Sequence, residues 1–130
     1  MELERAVQVY AIINFTAIGV SHVLRPRTWV DFFAALAGRG EAGVFAVALL
    51  NLAFGSVVVA FHNVWWGIPL ALTLVGWANV AKALAYLAFP AFALRKLGAL
   101  SHKRANLIVV GGVGFLLLAA VLVYHVWSTA

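Results

Sequence analysis

The chain has 130 residues, of which 65% are hydrophobic and 10% are charged, and its net charge at pH 7 is +5. A soluble domain of this length leaves much of its surface in water, so this apolar composition predicts a protein surrounded by lipid. The absence of cysteine excludes disulfides, thiolate metal sites and thiol nucleophiles. The basic residues lie between apolar runs and not among aromatic residues, so we expect membrane lipids as partners and no nucleic acid.

Three uncharged runs predict the membrane spans, and they cover residues 6–24, 42–81 and 105–130. About 20 apolar residues cross the hydrocarbon core, so the middle run is long enough for two helices. Backbone groups in lipid must be hydrogen-bonded internally, and no period-two alternation indicates strands. We therefore predict an all-α integral membrane protein that forms a four-helix transmembrane bundle. It is a single domain over residues 1–130, with spans at about 6–24, 42–61, 66–89 and 105–127.

The first connection is predicted to contain a short amphipathic helix of its own, over about residues 29–37. Its apolar side chains recur at helical spacing on one face: Trp29, Phe32, Phe33 and Leu36. Thr28 and Asp31 have the spacing of a capping box, and Gly38 is a suitable stop. A helix of this kind lies naturally in the membrane interface. We interpret it as an interfacial anchor, with a lid or a partner-docking helix as the functional alternative.

The distribution of basic residues predicts the orientation of the bundle. Seven Lys and Arg residues lie in the first and third connections, whereas the N-terminus has only Arg5 and the second connection has none. Because cytoplasmic loops are enriched in Lys and Arg, we predict that the first and third connections are cytoplasmic and that both termini lie outside. The expected location is the bacterial inner membrane. The residues that support this orientation are Arg25, Arg27, Arg39, Arg95, Lys96, Lys103 and Arg104.

The two remaining connections differ in character. The second contains the sequence "HNVWWG" (62–67), which is typical of a helical hairpin with interfacial tryptophans. In the third, Pro90 is expected to end or kink the third span, and three leucines are expected to enter the interface: Leu94, Leu97 and Leu100. His102, in the same basic stretch, is expected to be solvated.

Polar residues inside the spans are the candidates for a site, because each one is costly in lipid. Asn79, Lys82 and Tyr86 share a helix face at i, i+3 and i+7, which suits an anion- or carbonyl-binding site. The alternative is that Lys82 extends to water at the cytoplasmic interface and pairs with Asp31 or Glu41. The candidate ligand-binding residues are Asn14, Asn51, Trp77, Asn79, Lys82 and Tyr86.

Three histidines are candidate cofactor-binding residues. His62 and His125 lie at the predicted outer ends of two spans, and His22 lies at the inner end of the first. Histidines on facing helices can hold haem, and quinone is the other cofactor that we consider. The alternative is that they are interfacial residues, and that the glycines of segment 109–115 serve close helix packing and do not make room for a cofactor. We predict no metal site and no catalytic residues.

The segment "IGVSHVLRPRTWVDFF" (18–33) contains a Gly-aliphatic-x-His-aliphatic pattern followed by proline, formed by Gly19, Val20, His22, Val23 and Pro26. It resembles the DoxX-like group of small four-helix bacterial membrane proteins. The resemblance implies a membrane subunit near quinone-linked redox chemistry. The second span departs from the pattern, because it has Asn51 and Gly55 where an acidic residue near a glycine is expected. Residues 61–90 also resemble small membrane proteins with a His-Asn-x-Trp turn, which implies no particular activity.

The sequence therefore leaves three functions open. The first is a non-catalytic accessory subunit or a binder of lipid-like, hydrophobic ligands. The second is a redox component that holds haem or quinone through its outer-side histidines. The third, a channel or carrier, has less support because no carboxylate lies inside a span. Membrane lipids are expected partners, as is a second copy of the chain or a larger membrane complex.

Overall fold

The computed structural model describes residues 2–130, and these residues are almost entirely helical. The helices are α1 (Glu2–Leu24), α2 (Pro26–Ala37), α3 (Glu41–Phe61), α4 (Pro69–Ala88), α5 (Pro90–Gly98) and α6 (Ala105–Ser128), and a 3-10 turn precedes α6 (His102–Arg104). Four of them, α1, α3, α4 and α6, are long and apolar enough to cross a membrane. The predicted all-α four-span bundle is confirmed, and the helix bounds differ from the prediction by a few residues.

The surface of the bundle is apolar, as a lipid-facing surface must be. Large aliphatic side chains on all four long helices are between 63% and 66% exposed: Ile13, Leu50, Leu84 and Leu117. Soluble monomers rarely expose large apolar surfaces, so an apolar surface on all four long helices agrees with an integral membrane location.

The four long helices are arranged as two closely packed pairs. Helix α1 packs along α6, and α3 packs along α4, while contacts between the pairs are sparser. The first pair is antiparallel, since Arg5 near the start of α1 contacts the carbonyl of Val126 near the end of α6. We call this end of the bundle, which also holds the α3–α4 loop, the termini end. The opposite end, which holds α2 and α5, is the α2 end.

A glycine on each helix allows the close approach within each pair. A Cβ atom at Gly112 of α6 would lie 2.6 Å from His22 Cβ and 2.9 Å from the carbonyl oxygen of Gly19 in α1. In the other pair, a Cβ atom at Gly55 would lie 2.9 Å from the carbonyl oxygen of Gly76. Close packing, predicted for segment 109–115, is therefore confirmed at Gly112.

Helix α2 begins earlier than predicted, and its start has a different cause. Pro26 occupies the first turn, where its missing N–H costs no hydrogen bond, and Arg25 precedes it without a side-chain cap. The predicted capping box of Thr28 and Asp31 is wrong, because both residues lie inside the helix. The helix ends before Gly38 as predicted.

Two short helices pack against the α2 end of the bundle. Pro90 separates α4 from α5 as predicted, but the structure adds a helix that the sequence did not indicate. Leu97 of α5 is buried against Val44 and Val47 of α3, with Phe33 of α2 packed beside them. Leu97 therefore contributes to the protein interior, whereas the sequence placed it in the membrane interface. This packing fixes α2 on the bundle.

Candidate functional site

A cavity of about 400 Å³ lies between the two helix pairs, at the level of the α2 end. Its walls come from all four long helices and from α2, because the two pairs contact each other only sparsely. Most of the wall is apolar and aromatic, with Phe15, Phe54 and Phe115 from three different helices. The polar groups are few, and five of them are residues that the sequence singled out: Asn14, His22, Asn51, Asn79 and Lys82.

The three asparagines present acceptors to the cavity. Each donates its side-chain N–H to a carbonyl one turn earlier in its own helix: Asn14 to Tyr10 at 2.9 Å, Asn51 to Val47 at 2.8 Å and Asn79 to Val75 at 2.8 Å. Each Oδ1 atom has no protein partner within residues 2–130. Every fully enclosed side-chain N or O atom in this part of the chain has a partner, so these oxygens are not fully enclosed. The three side chains belong to the cavity wall.

His22 is the most enclosed of the polar groups, with 7% of its surface exposed. Its Nδ1 atom donates to the carbonyl of Ile18 at 2.9 Å, which leaves Nε2 as the free ring nitrogen. The ring lies 4.3 Å from the Trp29 ring, centroid to centroid, and its edge meets Phe115 at 5.7 Å. Nε2 has no partner among residues 2–130 and is not fully enclosed, and His22 belongs to the cavity wall.

Lys82 supplies the only cation of the cavity wall. Its Nζ atom lies 5.4 Å from the centroid of the Tyr86 ring, and no carboxylate among the described residues pairs with it. The predicted pairing with Asp31 or Glu41 is wrong, because Asp31 instead contacts His102 at 2.7 Å. His102, expected to be solvated, thus ties the segment before α6 to α2.

Helix α2 closes the cavity at its own end. Trp29, Phe32 and Phe33 contribute to the wall, so the apolar face read from the sequence points at the bundle. Trp29 also donates from Nε1 to the Ser21 hydroxyl at 2.8 Å, which fixes its ring over the cavity. This position agrees with the lid interpretation of α2. The sequence did not indicate what such a lid would cover.

Two of the candidate ligand-binding residues lie elsewhere. Trp77 is 45% exposed on the outer surface of α4. Tyr86 packs against the cluster around Val44 and Leu97 and is not part of the cavity wall. The helix face proposed for Asn79, Lys82 and Tyr86 is therefore divided between the cavity and the protein interior.

His62 belongs to a separate, fully buried network at the termini end. The Thr73 hydroxyl donates to the Val64 carbonyl at 2.8 Å, so it accepts from His62 Nδ1 at 3.1 Å. His62 Nε2 must then accept from the Gln8 amide, also at 3.1 Å. Burial lowers the pKa of His62, which agrees with this neutral form. Both ring nitrogens are occupied, so this arrangement does not fit a haem or metal ligand.

Two other polar residues lie at the termini end, Gln8 and His125, and the sequence did not predict the position of either one relative to His62. Gln8 is 6% exposed, and its hydrogen bond to His62 joins α1 to the α3–α4 loop. In the sequence, the only indication of this structural role was a polar side chain within an apolar span. His125 is partly exposed and contributes to a second pocket, of which His62 is not part. The structure therefore does not bring His62 and His125 to a common site with free ring nitrogens. Within residues 2–130 no group of three or more His, Asp or Glu residues is arranged to hold a metal ion.

Comparison with known proteins gives no further guide, because no protein-family model, curated protein or solved structure matches this chain. The resemblance to the DoxX-like group therefore stays a prediction.

Proposed function

We propose that this protein binds a lipid-like molecule, an apolar chain or ring with a polar head, in the cavity between its two helix pairs. It acts as a non-catalytic membrane protein or accessory subunit. The observation that supports this proposal is the convergence of five polar residues from three helices on one apolar cavity, where each presents a group without a protein partner.

The size and lining of the cavity suit such a ligand. Small-molecule sites usually have volumes of about 300–1,000 Å³, mostly apolar walls and a small number of polar groups that fix orientation. The cavity has about 400 Å³ and five phenylalanines in its wall. We place the ligand head at the polar groups of the wall, with its charge at Lys82, and the apolar part between the helix pairs.

The charge of Lys82 favours a head that carries negative charge or a strongly polar oxygen. Lys82 has no carboxylate partner among residues 2–130, so its charge is free to pair with an anionic ligand. The asparagine oxygens add acceptors for any hydroxyl that the head carries. A carboxylate or phosphate amphiphile has this combination of properties.

The orientation proposed from the sequence places this head near the cytoplasmic side of the bacterial inner membrane. The α2 end carries the basic first and third connections, and the termini end carries Arg5 alone among Lys and Arg. Loops that are rich in Lys and Arg stay in the cytoplasm, so the proposed ligand enters from the bilayer or its inner leaflet.

A quinone is the second candidate ligand, and it is favoured by the aromatic wall. Phe15 and Phe115 are stacked at 5.5 Å beside the cavity, and Trp29 closes it, so a flat ring would find apolar faces. Lys82 would donate to a quinone carbonyl. A quinone would agree with the quinone-linked chemistry that the DoxX-like resemblance implies. It would bind beside His22 and not at the outer histidines, His62 and His125.

The proposal is tested by photo-crosslinking in nanodiscs. A palmitic acid with a diazirine near its chain end is incubated with the full chain, irradiated, and the labelled peptides are identified by mass spectrometry. We expect saturable labelling of residues 14–22 and 47–54, which palmitate reduces by competition. Competition by decylubiquinone and not by palmitate would favour the quinone. Labelling confined to lipid-facing residues such as Ile13 and Leu117 would contradict both.

A further inference from the structure

A second pocket, of about 520 Å³, lies at the termini end of the bundle, on the far side of the buried His62 network from the first cavity. The start of α1, the α3–α4 loop and the end of α6 form its wall. The hydrophobic part of the wall comes from the loop, with Val64, Ile68 and the Trp66 ring, which is 73% exposed. Nothing in the proposed function uses this pocket.

The polar part of the wall is rich in hydrogen-bond acceptors. Glu2 and Glu4 contribute two carboxylates, and His125 contributes its ring. Neither carboxylate pairs with a Lys, Arg or His side chain within the described part of the chain. Arg5 also belongs to the wall, but its guanidinium donates to the backbone carbonyls of Val126 and Thr129 at the end of α6. Helix carbonyls, and not the two glutamates, therefore compensate the charge of Arg5.

Gln8 gives an independent indication of a ligand. It is 94% buried, and the direction of its amide is fixed by the His62 network, because His62 Nε2 can only accept. The amide N–H₂ group therefore faces His62, and Oε1 faces away from it. Oε1 has no partner in residues 2–130 and is not fully enclosed, and Gln8 belongs to the wall of the second pocket.

A metal ion does not suit these groups, because no three of the described His, Asp and Glu residues are close enough to share one. An ammonium group does suit them, since it has three donors for spaced acceptors and a positive charge for two carboxylates. If the ligand also has an apolar part, that part would contact the Trp66 ring. The face of the ring also attracts a nearby cation.

From this geometry we infer that the pocket at the termini end binds an organic cation, a primary ammonium attached to an apolar body. Glu4 and Gln8 receive the ammonium group, and Trp66 covers the apolar part. This site is distinct from the cavity at the α2 end, which takes a ligand of the opposite charge.

The test uses benzylammonium as the probe and the full chain in phosphatidylcholine nanodiscs, measured by isothermal titration calorimetry against empty nanodiscs. We expect saturable binding of benzylammonium and none of benzyl alcohol, which has the same ring without the charge. In the Glu4→Gln variant, binding should weaken by about tenfold, the loss expected for one charge-assisted hydrogen bond. Glu41→Gln is the matched control, because Glu41 is an exposed carboxylate at the α2 end.

Three outcomes would overturn the inference: no saturable binding to the wild-type chain, equal binding of benzyl alcohol, or equal weakening by Glu4→Gln and Glu41→Gln. The comparison of the charged and neutral probes on the wild-type chain needs no substitution, so it decides the matter even if Glu4→Gln unfolds the protein. The proposed function is independent of these results, since palmitate labelling reports on the other cavity.

Discussion

His62 Nδ1 lies 3.1 Å from the hydroxyl oxygen of Thr73, and the same hydroxyl donates to the carbonyl of Val64 at 2.8 Å. The Thr73 side chain thereby joins α4 to the loop before it, and Gln8 extends the connection to α1. The sequence "HNVWWG" (62–67) is therefore a structural hairpin whose histidine is locked in place. Through Gln8 it also links the two helix pairs at the termini end.

Thr73→Val should destabilise the protein, because it removes the hydroxyl and leaves the Val64 carbonyl and the His62 N–H buried without partners. The expected loss is about 1–3 kcal/mol, measured by thermal unfolding in detergent with circular dichroism. Thr73→Ser keeps the hydroxyl and is the matched control. Equal losses in both variants would show that the Thr73 methyl group and not its hydrogen bonds stabilises the loop.

Stability should fall as the pH is lowered from 7.5 to 5. Burial lowers the pKa of His62, so below the ordinary value of about 6.5 the unfolded chain takes up a proton that the folded chain does not. The stabilising effect of a low histidine pKa is thus complete above pH 6.5 and is lost as the pH falls. The melting temperature of His62→Gln should depend less on pH than that of the wild type. His102→Gln is the control, and an unchanged pH dependence in His62→Gln would refute the assignment.

Gly112→Ala should destabilise the α1–α6 pair, because the new Cβ atom would lie 2.6 Å from His22 Cβ and 2.9 Å from the Gly19 carbonyl oxygen. Overpacking of this kind costs about 1–3 kcal/mol. Gly111→Ala is the matched control on the adjacent position, since nothing lies within 4 Å of its new Cβ atom. The free energy of unfolding of Gly111→Ala should equal that of the wild type or exceed it by up to about 1 kcal/mol. A lower melting temperature for Gly111→Ala than for Gly112→Ala would contradict the packing described.

Lys82→Gln should weaken labelling by the diazirine palmitic acid by about fivefold, because Lys82 is a cation of the cavity wall and is exposed, which limits the strength of its ion pair. Lys82→Arg should retain labelling, and Lys96→Gln, a cation outside the cavity, is the control. The methyl ester of the probe should label the wild type and Lys82→Gln equally. If the ester loses as much labelling as the acid, Lys82 has a structural role and not a charge-recognition role.

The spans and the proline break were predictable because both follow from local properties. Charged residues mark where the chain leaves lipid, and Pro90 ends α4 whatever its neighbours are. The short helix α2 was predictable for the same reason, since its apolar face is visible at helical spacing against polar residues.

The helix faces were not predictable, because a membrane helix has apolar residues on both its lipid-facing and its protein-facing sides. Trp77 and Asn79 are two positions apart in α4, yet Trp77 faces outward and Asn79 contributes to the cavity. The cost of burying asparagine indicated that Asn14, Asn51 and Asn79 needed partners, but not that one cavity would collect them. The partner of Gln8 was not predictable for a similar reason, since His62 lies 54 positions away in the sequence.

The most direct test of the proposed function is to fill the cavity. Ile18 contributes to the cavity wall, whereas Ala17 beside it is exposed on the outer face of α1. Saturable labelling by the diazirine palmitic acid should be lost in Ile18→Trp and retained in Ala17→Trp, with both variants folded by circular dichroism. Wild-type labelling in Ile18→Trp would contradict the account, because the ligand would then bind outside the cavity between the helix pairs.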